Sequence, residues 1–191
     1  RDYIVETEYE NVDMIPCSAQ TPRINQRIPG IFEDAQTYFK QGDPKSLSNM
    51  GEFLYYFLNQ VREDYDYIII DCPAGIEQGF KNAIAAAKRA IVVTTPEVSA
   101  IRDADRIIGI LNANEIPRID LVVNRVRQDM VKRGEMMSVE DVVEILGVNH
   151  IGSVYDDENI VIASNRGTPI ATKNCVAGRA YDHIAMRICG Q

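Results

Sequence analysis

The chain has 191 residues, of which 46% are hydrophobic and 25% are charged, and these are ordinary values for a globular protein. The length suits one domain with a sizeable core, so we predict a single domain over residues 1–191. The net charge of −8, from 20 Lys and Arg against 28 Asp and Glu, argues against a protein that binds nucleic acid over a whole face. The longest apolar run, Phe53–Leu58, has six residues, whereas a membrane span needs roughly 20.

The cysteines do not form the pattern of a metal site or of a disulfide framework. Cys17, Cys72, Cys175 and Cys189 contain no Cys-x-x-Cys pair, and the chain has only two histidines. We therefore expect four reduced thiols in a cytosolic protein, without a zinc site. The first residue is Arg1 rather than Met, so we expect the chain to be part of a longer protein.

Short β-rich runs alternate with helical periodicity along the chain. The predicted strands occupy residues 11–16, 67–70, 90–94, 119–123 and 148–154. The predicted helices occupy residues 31–39 (within an irregular stretch at 21–44), 47–61, 79–88, 98–112, 138–146 and 175–188. Strands that are apolar throughout suit a sheet buried on both faces. The alternation predicts an α/β fold with a mostly parallel sheet flanked by helices, whose ligands bind beyond the carboxyl ends of the strands.

One carboxylate follows the first uniformly apolar strand. Asp71 ends the run Tyr67–Ile70 and precedes Pro73 and Gly75. A carboxylate at this position is typical of the Walker B aspartate, which assists Mg²⁺ beside a nucleotide. Asp71 would equally serve as a cap for the turn that follows the strand, because the pattern of four apolar residues and an Asp is common.

Two polar segments follow later strands. Asn124 comes after Leu121–Val123, where its amide can offer both a donor and an acceptor to a planar edge such as that of adenine, or can form an Asx turn. The segment Tyr155–Glu158 follows the last strand. It suits either the rim of a base pocket or the beginning of a helix, where acidic residues are favoured by the helix dipole.

The helix at 98–112 begins with polar residues. Glu97, Ser99, Asp103 and Asp105 lie in or near its first turns. They suit a partner-binding surface, or simply a helix N-terminus that favours negative charge.

A phosphate-binding loop is missing from this pattern. Nucleotide hydrolases of this architecture need a Gly-rich loop that contains a Gly-Lys pair, and no Gly-Lys dipeptide occurs in the 191 residues.

Five sequence blocks carry a resemblance to a known family. They are IIIDCPAGIEQGFKNA, AIVVTTPEVSAIRDADRIIGIL, LVVNRVR, MMSVEDVVEILGV and DDENIVIASNRGTPI, all within residues 67–170. In order and spacing they resemble the MinD family of septum-site-determining ATPases, in the deviant Walker A branch of P-loop proteins that also contains the ParA ATPases. The last helix fits as well, residues 1–20 fit more loosely, and residues 22–50 match poorly.

The resemblance implies an ATPase that places the bacterial division site. Members bind ATP and Mg²⁺, form a homodimer with ATP between the subunits, and attach to the inner membrane through a C-terminal amphipathic helix. The dimer recruits the division inhibitor MinC against assembly of the FtsZ ring, while MinE or a polar scaffold sets the position. We therefore expect a cytoplasmic protein that is peripheral at the inner face of the membrane and binds no nucleic acid.

The resemblance also implies roles for single residues. Asp71 matches the Walker B aspartate, catalytic and assisting Mg²⁺ through water, and the segment through Pro73, Ala74 and Gly75 matches the second switch. Asn124 matches the residue that contacts adenine. The positions that match the segment lining the base are Tyr155, Asp156 and Asp157, although relatives usually carry a small residue or Pro where this chain has Tyr155. The positions that match the partner-binding surface are Glu97, Ser99, Asp103 and Asp105.

Two parts of the family pattern lie outside this chain. In relatives the Lys-Gly-Gly-x-Gly-Lys-Thr loop and the first-switch Asp lie upstream of the position of Arg1, and the membrane helix follows the position of Gln191. We expect a partial ATPase domain that lacks the first strand and is inactive alone. Because that first strand is central in relatives, we also expect poor stability or self-association.

Other interpretations remain open at this point. Within the branch, the chain resembles ParA-like or flagellar-number regulators less closely, because the block at residues 90–111 favours MinD. A paralogue without the phosphate loop would act as a binding module. A flavodoxin-like or receiver-like domain shares only the alternating elements.

Overall fold

The computed structural model describes residues 5–14, 50–72 and 78–190. It divides the chain into two compact units, Arg1–Ala86 and Ala87–Gln191. The helix predicted at 31–39 lies outside the described residues, as do Pro73, Ala74 and Gly75. No described helix is long and apolar enough to cross a membrane.

The described residues of the first unit form a small hairpin and two helices. Strands β1 (Val5–Glu6) and β2 (Asp13–Met14) pair antiparallel. Helix α1 (Met50–Val61) packs against helix α2 (Gln78–Ala86). The Tyr65 hydroxyl donates to Oδ2 of Asp13 at 2.7 Å, which ties the segment after α1 to the hairpin.

The strand predicted at Tyr67–Ile70 was wrong for this structure. None of its residues is in a strand, and Ile69 is 90% exposed. A strand forms only when its N–H and C=O groups find a neighbouring strand, and this run pairs with none of the strands among the described residues. Asp71 consequently follows an unpaired run rather than a buried strand.

The second unit contains the parallel sheet that the sequence predicts. Strands β3 (Arg89–Thr94), β4 (Arg118–Val126) and β5 (Asn149–Tyr155) lie in the order β3-β4-β5, and both pairings are parallel. The helices that follow them are α3 (Val98–Ala113), α4 (Gln128–Lys132), α5 (Val139–Leu146), α6 (Glu158–Asn165) and α7 (Val176–Ile188), with a 3₁₀ turn at Ile170–Thr172. The predicted fold class is therefore confirmed, while α4, α6 and the 3₁₀ turn are additions to it.

Helices cover both faces of the central strand. Helix α3 packs against β3, and α5 packs against β4. On the other face Val122, Val154 and Ile184 belong to one buried cluster that joins β4 and β5 to α7. Leu121 and Val123 point to the opposite face from Val122, and both are completely buried. Each CH₂ group removed from water in this way contributes about 0.8 kcal/mol.

The beginnings of α5 and α7 follow from their sequences. Ser138 accepts a hydrogen bond from the Asp141 N–H, and Asp141 accepts one from the Ser138 N–H, so the two residues form a capping box at the beginning of α5. Gly178 lies in the first turn of α7, where an added Cβ would overlap the carbonyl oxygen of Lys173. Only glycine permits this close approach.

A buried carboxylate joins the amino ends of β3, β4 and β5. In the sequence this residue, Asp120, looks like an ordinary strand residue. Asp120 is completely buried in β4. It accepts hydrogen bonds from Arg89 at 2.5 Å, Arg118 at 3.0 Å and Asn149 at 2.5 Å. Arg89 also donates through Nη1 to the Ile188 carbonyl at the end of α7, while its Nη2 is buried without a hydrogen-bond partner in the described part of the chain.

The hydrogen bonds around Asp120 decide its protonation. Burial raises the pKa of Asp120, but the hydrogen bonds from Asn149, Arg89 and Arg118 outweigh burial, so this pKa lies below its ordinary value. The carboxylate is therefore charged at neutral pH and balances the Arg89 guanidinium.

Substitution of Asp120 by Asn should destabilise the fold by about 3 kcal/mol at pH 7, because it leaves a largely buried guanidinium without its counter-charge. Arg118→Gln is the matched control, because Arg118 is half exposed and should cost less than about 1 kcal/mol. Urea unfolding measures both values, and equal losses in the two variants would contradict the role of Asp120.

The same cluster predicts a pH dependence. Because the pKa of Asp120 is lower in the folded state than in the unfolded state, its stabilisation is present above the unfolded pKa and is lost as the pH falls through the folded pKa. The free energy of unfolding of the wild type should therefore fall more steeply than that of Asp120→Asn as the pH drops below about 4. Parallel curves for the two proteins would show that Asp120 carries no such linkage.

Candidate functional site at the carboxyl edge of the sheet

Asn124 lies at the carboxyl end of the central strand of the described sheet. Its Oδ1 atom accepts the backbone N–H of Arg125 at 2.9 Å. Arg125 has a φ of 57°, a left-handed conformation that is uncommon for a residue with a Cβ. The sequence alternatives for Asn124 were an Asx turn and an adenine contact. The structure shows the local hydrogen bond and leaves the amide half-buried, so its donor group stays available.

A bulge separates Asn124 and Arg125 from the regular ladder. Val123 pairs with Ser153 and Val126 pairs with Tyr155, so β4 carries one residue more than β5 between these pairs. Bulges bend a strand and redirect a side chain. Sequence reasoning missed the bulge, because the run from Leu121 to Val126 reads as continuous strand.

The segment after β5 lies beside Asn124 at the same edge. Tyr155 pairs with Val126 as the last residue of β5 and is half-buried. The Asp156 N–H donates to the Val126 carbonyl at 3.0 Å, and the Asp156 carboxylate lies 3.9 Å from the guanidinium of Arg127. The structure therefore brings Asn124 and the predicted base-lining segment to one edge.

Asp157 is the N-cap of α6 and also reaches α7. Its Oδ1 accepts the Asn159 N–H at 2.9 Å and the Asn159 side-chain amide at 2.7 Å, and its Oδ2 accepts the Ala177 N–H at 3.2 Å. Hydrogen bonds from the Asn159 backbone and side chain and from the Ala177 backbone hold the pKa of Asp157 below its usual value. Both oxygens are thus occupied, and the helix-cap interpretation accounts for the position of Asp157.

An open cleft of about 540 Å³ begins at this segment, a volume in the range of small-molecule sites. Its walls come from the beginnings of α6 and α7. They are Asp156, Asp157, Glu158, Asn159, Asn174, Cys175, Val176 and Arg179. Acidic side chains and amides dominate this lining, and Arg179 is its one cation.

The predicted partner-binding residues are all exposed on or next to α3. Glu97 is the N-cap residue, without a side-chain capping bond. Ser99 and Asp103 lie one turn apart, whereas Asp105 lies about 200° beyond Asp103 around the helix axis. The buried side of α3 is formed by Ile101, Ala104, Ile108 and Leu111.

Asp71 belongs to the first unit, where its side chain is exposed. Burial of its neighbour Cys72 and the negative charge of Asp71 both raise the pKa of Cys72, which favours the thiol over the reactive thiolate. Cys72, Cys175 and Cys189 are free cysteines, while Cys17 lies outside the described residues. No group of three His, Cys, Asp or Glu side chains able to hold a metal ion occurs in residues 5–14, 50–72 and 78–190.

Asp157→Ala should lower the Tm, because α6 loses its N-cap and the Ala177 N–H loses its acceptor. Asp157→Asn should lower it less, since one amide oxygen still accepts from the Asn159 N–H. Asp156→Ala is the matched control one residue away, and its exposed side chain should leave the Tm almost unchanged. Thermal melts at pH 7 measure all three variants, and equal Tm values for Asp157→Ala and Asp156→Ala would contradict the capping role.

Known proteins resemble this chain in sequence and in structure. Residues 1–123 match a family model described as an AAA domain. The septum site-determining protein MinD of Synechocystis sp. is 52% identical over 136 residues, which are 70% of this chain and 51% of that protein. The chain spans about half the length of the curated relatives it matches.

Solved structures agree with the sequence relatives. The MinC:MinD cell division protein complex of Aquifex aeolicus matches with a TM-score of 0.70 and 41% identity, over 74% of this chain and 60% of that chain. The septum site-determining protein MinD of Pyrococcus horikoshii, complexed with Mg-ADP, matches with a TM-score of 0.73 over 98% of this chain and 67% of that chain, at 20% identity. The second likeness supports the fold. On the sequence matches and the fold together, this chain belongs to the MinD family of septum site-determining ATPases.

Proposed function

We propose that this chain is part of the nucleotide-binding domain of a MinD-type ATPase that determines the division site. One observation carries the proposal. In a chain 52% identical to a MinD, the amide of Asn124 lies at the carboxyl edge of a parallel sheet, beside the segment after β5. This edge is where α/β sheets bind their ligands.

The residues at this edge fit a nucleotide base. Asn124 keeps its side-chain N–H groups for a ring nitrogen, while Tyr155 and Asp156 lie on the neighbouring strand end. Asp157 contributes to this site by holding together the beginnings of α6 and α7, which line the cleft. In this proposal Asn124 contacts adenine, and residues 155–157 form one wall of the base site.

The Mg²⁺ part of the proposal rests on Asp71. An exposed carboxylate offers the hard oxygen ligand that Mg²⁺ prefers, often through water. Bound Mg²⁺ would neutralise charge on the phosphates. Asp71 orients the water ligands of the ion, and the segment 71–75 acts as the second switch. The Mg-ADP complex of the Pyrococcus horikoshii MinD supports this pair of ligands for the fold.

The whole protein acts as an ATP-dependent dimer at the membrane in this proposal. The Aquifex aeolicus structure is a MinC:MinD complex, which supports MinC as the partner. Inhibition of the FtsZ ring is the outcome that the family resemblance implies. Glu97, Ser99, Asp103 and Asp105 are exposed around the beginning of α3 and form the surface for MinC, or for MinE or a polar scaffold. Attachment to the inner face of the membrane uses a C-terminal helix beyond the position of Gln191.

The 191-residue chain alone should neither hydrolyse ATP nor bind it tightly, because it has no Gly-Lys pair to hold the phosphates. Placing the phosphate-loop segment of the Synechocystis MinD in front of Arg1 should create Mg²⁺-dependent phosphate release. Asp71→Asn in this fusion should reduce the rate by at least about tenfold, because the Mg²⁺ ligands lose their orientation.

The matched control is Asp66→Asn, five residues before Asp71 in the same exposed segment, which should leave the rate unchanged. A phosphate-release assay at saturating MgATP compares the variants. Turnover by the unfused chain would contradict its expected inactivity. A fusion that folds but neither hydrolyses nor binds MgATP would contradict the ATPase function and favour a binding module.

A further inference from the structure

The outer side of α6 carries apolar residues that the core does not use. Ile160, Val161 and Ile162 are consecutive, and consecutive residues of a helix point about 100° apart, so one core face does not bury all three. Ile160 packs against the buried cluster of β4, β5 and α7, whereas Val161 is 62% exposed and Ile162 is 45% exposed. Because Val and Ile are poor helix formers, neither the core nor the helix itself explains these two residues.

Charges of opposite sign lie at the two ends of the same side of α6. Glu158 is the first residue of the helix, and Arg166 is its C-cap residue. Both are exposed, and neither side chain forms an ion pair within the part of the chain that the structure describes. Residues three or four positions apart share one side of a helix. This side therefore has an acidic beginning, an apolar middle at Val161 and Ile162, and a basic end.

This side, which we name the α6 face (Glu158, Val161, Ile162 and Arg166), is complementary to itself. Positions 158 and 166 each lie four residues, or about 6 Å, from position 162. When a second copy packs antiparallel with the two Ile162 residues opposite each other, Glu158 of each copy meets Arg166 of the other. Antiparallel packing also brings opposite helix ends together, where their partial charges attract. Such a contact is isologous, because the same surface serves both copies around a twofold axis.

We propose that the α6 face is a self-association surface, on which a second copy of this chain packs antiparallel through Val161 and Ile162 and pairs Glu158 with Arg166 at both ends. The contact needs no nucleotide, so it goes beyond the proposed function and differs from a dimer that holds ATP between its subunits. Two short helices bury far less than the roughly 1,200 Å² of a stable interface. The association is therefore weak and depends on the protein concentration.

Charge reversal tests the pairing of the two helix ends. Glu158→Arg sets two positive charges against each other at both ends of the contact, and Arg166→Glu sets two negative charges there. Each variant alone should associate about tenfold more weakly than the wild type, because an exposed ion pair contributes up to about 1 kcal/mol and the symmetric contact loses two. An equimolar mixture of the two variants should recover the association, since each reversed position then faces an opposite charge.

A second pair of variants tests the apolar middle of the α6 face. Ile162→Gln removes the apolar centre and introduces a good helix former, so it should also weaken the association. The matched control is Ile145→Gln in α5, because Ile145 is 53% exposed but lies outside the α6 face, and this variant should associate like the wild type.

Sedimentation velocity of the 191-residue chain over a series of concentrations measures the association of every variant. Both copies carry a net charge of −8, so the experiment uses about 0.15 M salt, where the Debye length is about 8 Å and repulsion between distant charges is screened. A mixture that stays as monomeric as its two components would overturn the proposal. A wild type that is monomeric at every concentration would also overturn it and would leave the α6 face to a different protein.

NMR spectra of the wild type at increasing concentration give a readout that needs no variant. The shifts that change with concentration should concentrate in residues 158–166 and should be the same with and without Mg-ADP. Changes concentrated elsewhere would overturn the proposal. Association that occurs only with Mg-ADP would overturn it in favour of a nucleotide-dependent dimer.

Discussion

The buried carboxylate of Asp120 fixes the frame on which the second unit depends. It joins Arg89, Arg118 and Asn149, the first residue of each strand, and Arg89 extends the connection to the end of α7. A charged group without exposure is tolerated only because several donors surround it. These contacts hold the amino ends of the three parallel strands at one level.

The two edges of the parallel sheet differ in how their polar groups are bonded. The amino ends are joined by a buried charged network around Asp120, whereas the carboxyl ends carry a bulge, a left-handed Arg125 and an exposed Asp156. Asp157 joins the beginnings of α6 and α7 by accepting from the Asn159 and Ala177 N–H groups. These two helix ends form the walls of the cleft. In the second unit, the amino ends of the strands are therefore joined by a buried network. The polar groups at the carboxyl edge are held in place and remain available to a ligand.

The sequence predicts the periodic parts of this fold well, because apolar strands and amphipathic helices leave a direct signal. Strands β3, β4 and β5 and helices α3, α5 and α7 follow from it. The strand predicted at Tyr67–Ile70 did not form in the structure, because a strand needs a neighbouring strand to pair with, and a local sequence pattern does not reveal that neighbour. Asp120 and Arg125 were missed for a related reason. The partners Arg89 and Asn149 of Asp120 lie 31 and 29 positions away in the sequence. The bulge at Arg125 depends on the register between β4 and β5. The roles of Asp71, Asn124 and Tyr155 stay predictions.

The central claim is that the carboxyl edge of the parallel sheet binds a nucleotide. The most direct measurement is a ¹H–¹⁵N NMR titration of the chain with Mg-ADP, followed residue by residue. The account predicts shifts concentrated at Asn124, Arg125 and residues 155–157, with the Asp120 network unmoved as an internal reference. Shifts that concentrate around Asp120, or a carboxyl edge that does not respond at millimolar nucleotide, would contradict it.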